Sequence, residues 1–365
     1  MKYKKVQLKD IADIVMGQSP KSQFYNTDGK GIPFLQGVRT FGENYPIIDT
    51  YTTSFNREAN VGEILFSVRA PVGRVNWATK RIAIGRGLAA IRVKERYSPN
   101  YLYYLFKKIG EHLDSLATGT VFTSINKKEL SELSIDIPAS VVDQERVANY
   151  LKKIDLKIEK NNQINDNLDA LLTTIFEEKV KNSGFDEAKL TDIANYKNGL
   201  AMQKYRPKNN ESSLPVLKIK ELNQGYTDNS SDRCSTNIDK GVIVNQGDII
   251  FSWSGTLLVK NWSGKTAGLN QHLFKVTSNQ YPDWFIYEWT KHYLKKFQLI
   301  ASGKATTLGH IKRNDLKSSK VFIPNKDTLN EYNTQLKPLY DKRIAIIKET
   351  QCLNDLKQTL LQKYF

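Results

Sequence analysis

Six residues, Gly62-Glu63-Ile64-Leu65-Phe66-Ser67, return 185 positions later as Gly247-Asp248-Ile249-Ile250-Phe251-Ser252, and they do not return alone. Leu8-Lys9-Asp10-Ile11-Ala12 is matched by Leu190-Thr191-Asp192-Ile193-Ala194, Gly17 by Gly199, and Ile32-Pro33-Phe34-Leu35 by Leu214-Pro215-Val216-Leu217. Trp77 pairs with Trp262, Pro99 with Pro282 and Ile137-Pro138 with Ile323-Pro324, while the offset stays between 182 and 186. Self-similarity at one long period means a single structural unit made twice. Any fold for this chain must hold two copies of the same arrangement.

Each copy reads as a globular part followed by a long helix. Gly62-Glu63 and Gly247-Asp248 are turn residues feeding short apolar runs, 64–68 and 249–253, that read as buried strands. Further strand candidates are 84–93 and 273–276. Ser98-Pro99 and Tyr281-Pro282-Asp283 are helix starts with an early Pro, leading into aromatic-rich helices over 101–113 and 284–297. Their aromatics (Tyr101, Tyr104, Phe106; Trp284, Tyr287, Trp289) are expected to pack in the core rather than stack on bases. From 141 to 182 there is neither Pro nor Gly. Val147, Leu151, Ile154, Ile158, Leu168, Leu172 and Ile175 then fall at intervals that place one apolar seam on a helix, with Asn161 and Asn165 as polar register positions. At about 1.5 Å per residue that helix is roughly 55 Å long, too long to bury in one small domain. Residues 326–365 repeat the pattern with Leu329, Tyr332, Leu336, Leu339, Ile346, Leu353, Leu356 and Leu360, so the partner of the first helix lies in the same chain. Pro338 is expected to kink that helix or break its first turn. The expected division is therefore 1–140, 141–182, 183–325 and 326–365. A 1–182 fragment, deprived of the second helix, is expected to pair with a copy of itself.

Charge follows the same division. The chain carries a net +16, of which 1–140 contributes +7 and 183–325 contributes +8, against −1 for 141–182 and +2 for 326–365. Two basic heads on near-neutral helices make a polyanion the expected partner. Only Cys234 and Cys352 are present, without a pairing pattern, which fits a reducing compartment. Met1-Lys2-Tyr3-Lys4-Lys5 lacks the apolar core of a signal peptide, and no uncharged apolar run approaches the roughly 20 residues that cross a bilayer.

No catalytic or metal-binding motif is legible. His112, His272, His292 and His310 have no metal-ligand spacing with one another or with the cysteines. Ser263-Gly264-Lys265-Thr266 resembles the tail of a phosphate-binding loop, but the glycine required five positions before Gly264 is Val259. Gly85-Arg86-Gly87 lacks the third glycine of a dinucleotide site. Neither the Asn/Asp-Pro-Pro-aromatic tetrapeptide of amino-methyltransferases nor a nuclease Asp…Glu-x-Lys set occurs. What remains are basic residues on loops beside apolar strands: Arg39, Arg69, Arg74, Arg86, Lys127 and Lys128 in the first copy, and Lys218, Lys220, Lys260, Lys265, Lys304, Lys312 and Arg313 in the second. Arg forks suit guanine edges in a major groove, whereas Lys and hydroxyls suit phosphates. Strands match between the copies while loops diverge, Arg69 facing Ser254 and Arg74 facing Val259, as two modules reading different short sequences require.

Taken in order, these motifs resemble the specificity subunit of type I restriction-modification systems over essentially the whole chain. The resemblance rests on Leu8-Lys9-Asp10-Ile11-Ala12, Gly17-Gln18-Ser19-Pro20, the doubled Gly62–Ser67 motif, and Ile137-Pro138 with Gln144, Val147, Leu151, Ile154-Asp155 and Ile158. The second copy departs from it, lacking Gly-x-Ser-Pro after Gly199 and having a less regular helix. The resemblance implies an α+β fold of two tandem repeats, each a mixed, β-rich target recognition domain followed by a spacer helix of the conserved-region type. It implies that the two helices pair as an antiparallel coiled coil through Leu151, Ile154, Ile158, Leu168, Leu172 and Ile175 on one side and Leu336, Leu339, Ile346, Leu353 and Leu360 on the other. Each head would read one half of a bipartite site in double-stranded DNA, the helices setting the gap. The polar loops 119–128 and 303–313 would lie near DNA, which adds Thr120, Thr123, Ser124, Thr306 and Thr307 to the candidates. Two modification subunits would dock on the helices and methylate adenine with S-adenosylmethionine, with restriction subunits as further partners. The chain itself would hold no cofactor, perform no catalysis and work in the cytoplasm. Two rivals are a solitary methyltransferase or nuclease, tested by methyl transfer with the chain alone, and a coiled-coil adaptor binding nucleic acid or acidic proteins non-specifically. Salt-dependent, sequence-selective duplex binding would separate the latter.

Overall fold

The computed structural model describes residues 1–116, 124–181, 186–209, 211–303 and 309–365. It divides into two compact units, Met1–Leu156 with Leu356–Phe365, and Lys157–Asp355. The division thus falls inside both long helices and not at their starts, because each globular part takes segments of both helices into its core.

In the first unit a four-stranded antiparallel sheet runs Ala12–Met16, Leu88–Val93, Ile64–Ser67, Val75–Trp77 in spatial order. A five-stranded mixed sheet, centred on the parallel pairing of Ile32–Leu35 with Ile82–Ile84, lies on its other side. This explains the unbroken apolar run of the repeated motif. Ile64 and Phe66 face one core with the helix Pro99–Leu116, while Leu65 faces a second core with Leu35, Ile82, Ile84 and Leu88. A strand buried on both faces reads apolar at every position. Tyr3–Gln7 pairs with Ser134–Pro138 to close the unit.

The second unit repeats the topology. Its antiparallel sheet runs Asn195–Asn198, Leu273–Thr277, Ile249–Ser252, Leu258–Asn261, and Ser213–Leu217 pairs in parallel with Ala267–Leu269. Ile249 and Phe251 join the helix-side core and Ile250 the other. The aromatic helix is broken here into Asp283–His292 and Leu294–Ser302. Tyr101, Tyr104, Phe106, Trp284, Tyr287 and Trp289 are all buried, as core packing requires.

The first long helix is α-helical over Val141–Ile175 and ends in a π-turn, Phe176–Val180. The second runs over Lys326–Tyr364 and is not broken at Pro338, whose neighbours Leu336 and Tyr340 are buried. Tertiary packing on both sides offsets the one lost backbone hydrogen bond. Within the second unit the helices are antiparallel: Lys157 meets Glu349 at 3.4 Å, Asn161 donates to Glu349 at 2.9 Å and Thr350 at 3.2 Å, and Lys179 donates to Gln335 at 2.9 Å. Asn161 is buried and satisfied, whereas Asn165 Oδ1 is buried without a hydrogen-bond partner among the described residues.

The seam residues divide between the units. Leu151 is buried in the core of the first, with Leu361 of the second helix beside it and Phe365 stacked on Tyr101 at 4.6 Å between ring centres. Leu172 and Leu336 are buried in the second, with Ile175 and Leu339 packed against them. Ile154 and Ile346 are buried, and Ile158, Leu168, Leu353 and Leu360 are half-buried. Leu356, expected in the seam, faces solvent, and Lys357 and Leu361 take the inner positions instead.

Candidate nucleic-acid interface

Backbone hydrogen bonds gather five loops of the first unit at one end of its strands. Gly17 donates to Leu88 O at 2.9 Å and Gln18 to Ile84 O at 2.9 Å. Gly85 donates to Leu35 O at 2.8 Å, Gly87 to Gln36 O at 3.1 Å, and Val68 to Gly87 O at 2.9 Å. Ile125 donates to Val68 O at 2.9 Å, and Arg69 forms a β-bridge with Ser124. The approach is close enough to demand glycine. A Cβ on Gly17 would lie 2.2 Å from Gly85 O, and one on Gly87 2.6 Å from Gln36 O. Ser19 joins the loops by side chain, donating to Gln36 Oε1 at 2.9 Å and accepting from Arg86 N at 3.1 Å. The 67–74 loop is folded by its own contacts, with Gly73, at φ 88°, donating to Ser67 O at 3.0 Å. Lys127 and Lys128 open a short helix, Lys127–Ser131, whose Asn126 cap accepts from Glu129 N at 3.0 Å.

The result is an exposed rim carrying Arg69, Arg86, Lys127 and Lys128, none of which is paired with an acid among the described residues. Arg74 is also exposed on the 67–74 loop. Arg39 stands on the neighbouring turn Val38–Thr40 and bridges to Asp49 at 2.8 Å. Hydrogen bonds from Thr50 and Arg39 hold the Asp49 carboxyl below its usual range. Such an exposed pair is easily exchanged for a phosphate.

The same bonds recur in the second unit. Asn270 donates to Leu217 O at 3.0 Å, Trp253 to His272 O at 3.3 Å, Ile311 to Trp253 O at 3.1 Å, and Ser254 bridges His310. Gly199 takes the place of Gly17, a Cβ there lying 2.2 Å from Asn270 O. By these matched bonds Arg69 corresponds to Ser254, Arg86 to Gln271, Gln36 to Lys218 and Ser124 to His310. The frame is shared and the side chains are not. Trp253 sits between His272 and His310, ring centres 5.9 and 6.4 Å away, and its Nε1 donates to Asn198 at 3.0 Å.

Of the second-unit candidates, Lys218 and Lys312 lie on these loops; Lys218 pairs with Asp232 and lowers that carboxyl's pKa. Arg313 follows Lys312 in the first turn of Arg313–Lys317. Three others are held elsewhere. Lys220 donates to Ser230 at 2.8 Å, Lys260 to Asn223 O at 3.1 Å, and Lys265 pairs at 3.0 Å with Asp355 on the second long helix. Burial lowers the Lys260 ammonium pKa. Thr120, Thr123, Lys304, Thr306 and Thr307 lie outside the described residues. Sequence reasoning missed Ser19, Gln36, Trp253, Gln271 and His272. The paired glycines of Gly85-Arg86-Gly87 were the available signal, since two glycines around one basic residue mark a tight backbone approach. Among the described residues no group of three or more His, Cys, Asp or Glu could hold a metal ion, and no helix is long and apolar enough to cross a membrane.

Comparison with known proteins bears on this pair of loop clusters. The family described as type I restriction modification DNA specificity domain matches residues 1–170 and again 182–358. The chain is similar to the type I restriction enzyme MjaIX specificity subunit of Methanocaldococcus jannaschii, 26% identical over 397 residues, spanning 98% of this chain and 91% of that one. It is 43% identical over 147 residues to the putative MjaX specificity subunit of the same organism, a match to 40% of this chain and only 34% of that relative's length. The crystal structure of the type I restriction-modification S subunit from M. genitalium shares the fold, with a TM-score of 0.59 at 18% identity over 100% of this chain and 96% of that one.

Proposed function

This chain belongs to the type I restriction-modification DNA specificity family, and on that premise we propose that it is the non-catalytic subunit that addresses such a complex to its DNA site. The heads, 1–140 and 183–325, each read one half of a bipartite sequence through the loop clusters described above. The long helices, 141–182 and 326–365, set the gap between the half-sites. What chiefly supports this reading is one loop frame occurring twice with different side chains on it, Arg69 and Arg86 against Ser254 and Gln271. A shared frame fixes how each head meets the duplex, and unlike side chains make the two half-sites differ. A helix of 35 residues is about 52 Å long, or about 15 base pairs, enough to address two separate major grooves.

The chain supplies address, and chemistry comes from partners. Two modification subunits, carrying S-adenosylmethionine and methylating adenine, dock on the long helices, where Tyr150, Leu156, Ile164, Leu171 and Leu356 expose apolar surface. Restriction subunits join such a complex in the cytoplasm. In the first head the Arg69 and Arg86 guanidinium forks match guanine edges, and Lys127 and Lys128 match phosphates.

Mapping modified adenines in cells with and without this chain gives the site, and duplexes scrambled in either half then test the assignment. Arg69→Ala is expected to lose discrimination at one half-site only, by about 1–3 kcal/mol, or roughly 5- to 150-fold. Equal loss at both half-sites refutes the assignment of one head to one half-site.

A further inference from the structure

Each unit pairs an acid with a buried base where its two long-helix segments meet, and both times the acid is on the first helix and the base on the second; Asp155 is buried and Asp169 half-buried. In the first unit Asp155 and Lys357 are 2.7 Å apart with side chains 9% exposed, and the Tyr104 hydroxyl donates to Asp155 at 2.8 Å. In the second, Asp169 and Arg343 are 3.3 Å apart, with Lys291 of the second head also on Asp169 at 2.5 Å; the Tyr287 hydroxyl donates to Asp169 at 3.2 Å and accepts from Arg343 at 2.9 Å. Tyr104 and Tyr287 occupy the same place in the repeat, 183 positions apart like Pro99 and Pro282. The two pairs therefore mark equivalent spots with opposite provenance. The first unit takes its acid from the helix that follows its own head and its base from the other helix. The second unit does the reverse.

We propose that this polarity is a pairing code that makes the two halves of the chain complementary to each other and repellent to themselves. If a first half paired with its own copy in the same geometry, Asp155 would meet Asp169 beside Tyr104. If a second half did so, Arg343 would meet Lys357 beside Tyr287. Each arrangement sets two like charges side by side with at least one of them buried, and a buried charge without its counter-ion is strongly destabilising. Repulsion in the wrong pair is how paired helices are kept from the wrong partner. Lys107 offers no ready relief in the first case, being already engaged by Glu43 at 3.3 Å and Asn44 at 2.7 Å. The repeated sequence alone leads to the opposite expectation, a self-pairing half. The code instead keeps two unlike heads in one complex and so keeps the recognised site asymmetric.

The test begins from the whole folded chain. A protease site placed between Lys181 and Asp186 allows the halves to be separated after folding, and native mass spectrometry then follows how they re-partner over days. The wild-type cut chain is expected to stay as one 1:1 complex, with less than a tenth of either half in self-pairs. The neutralised chain D155N/D169N/R343M/K357M is expected to drift toward the statistical half. Self-pairs from the wild type overturn the proposal, and so does a neutralised chain that stays 1:1. Where fourfold neutralisation unfolds the chain, D169N/R343M takes its place, since it removes one member from each like-charge encounter. Self-pairs from that variant support the code and their absence overturns it.

Discussion

Glu288 offers a quantitative check on how the first long helix is seated in the second unit. It is 1% exposed; its Oε2 accepts from the Thr173 hydroxyl of that helix at 3.0 Å, and its Oε1 has no hydrogen-bond partner among the described residues. Burial pushes the carboxyl from its ordinary 4.5 up to about 7, with Lys291 opposing the shift and Asp169 adding to it. The folded state thus holds this proton to higher pH than the unfolded chain does. Stability is lost as pH rises from about 4.5 to about 7 and is level above, and the loss is about 3 kcal/mol at about 1.4 kcal/mol per pH unit. Glu288→Gln places an amide where the protonated acid sits and has nothing to ionise. The variant should match the wild type near pH 4.5 and exceed it by about 3 kcal/mol at pH 8, or roughly 6–12 °C in Tm for a unit of this size. Tryptophan fluorescence during urea or thermal unfolding reads the right unit, because Trp253, Trp262, Trp284 and Trp289 lie in it and only Trp77 does not. Other carboxyls titrate alike in both proteins and cancel in the difference. A stability difference that is the same at pH 5 and pH 8 refutes the reasoning.

Two further substitutions probe the loop clusters. Gly17→Ala forces a methyl to within 2.2 Å of Gly85 O and 2.8 Å of Ile84 O and Leu88 O, all backbone. It should cost about 1–3 kcal/mol and weaken DNA binding, whereas Gly37→Ala, which meets nothing within 4 Å, should change neither; melting and duplex titration of the pair check this. Lys312→Ala should weaken binding to every duplex alike and reduce the slope of log affinity against log salt by about 1, read from titrations at several salt concentrations.

Much of this architecture is written in the chain because its constraints are local or repeated. Gly17 and Gly199 are matched because in both units a backbone oxygen stands where a side chain would go. The unbroken apolar strand Ile64–Ser67 is legible because it is buried on both faces. The long helices are legible from their seam and their freedom from glycine. The inward turn of Asp155, Lys357 and Arg343 is not, since a lone charge on a helix looks like a solvated one until its counter-ion arrives from a distant part of the chain. Lys265 shows the converse. Beside Gly264 it resembles a phosphate ligand, yet it lies against the long helix, paired with Asp355. The interface was half legible: Arg69 and Arg86 by residue type, but not Trp253, Gln271 or His272, which are defined by which loops meet.

The first unit's interior includes Leu361, with Leu360, Tyr364 and Phe365 packed around it, although the rest of that unit ends at Leu156. About 200 residues separate these two parts of one core. At a synthesis rate of roughly 5–20 residues per second, the earliest-made domain waits about 10–40 s on the ribosome for its last wall. During that wait its apolar face lies open. Translation order, which usually lets an early domain finish before the next begins, here ties completion of the first head to synthesis of the second.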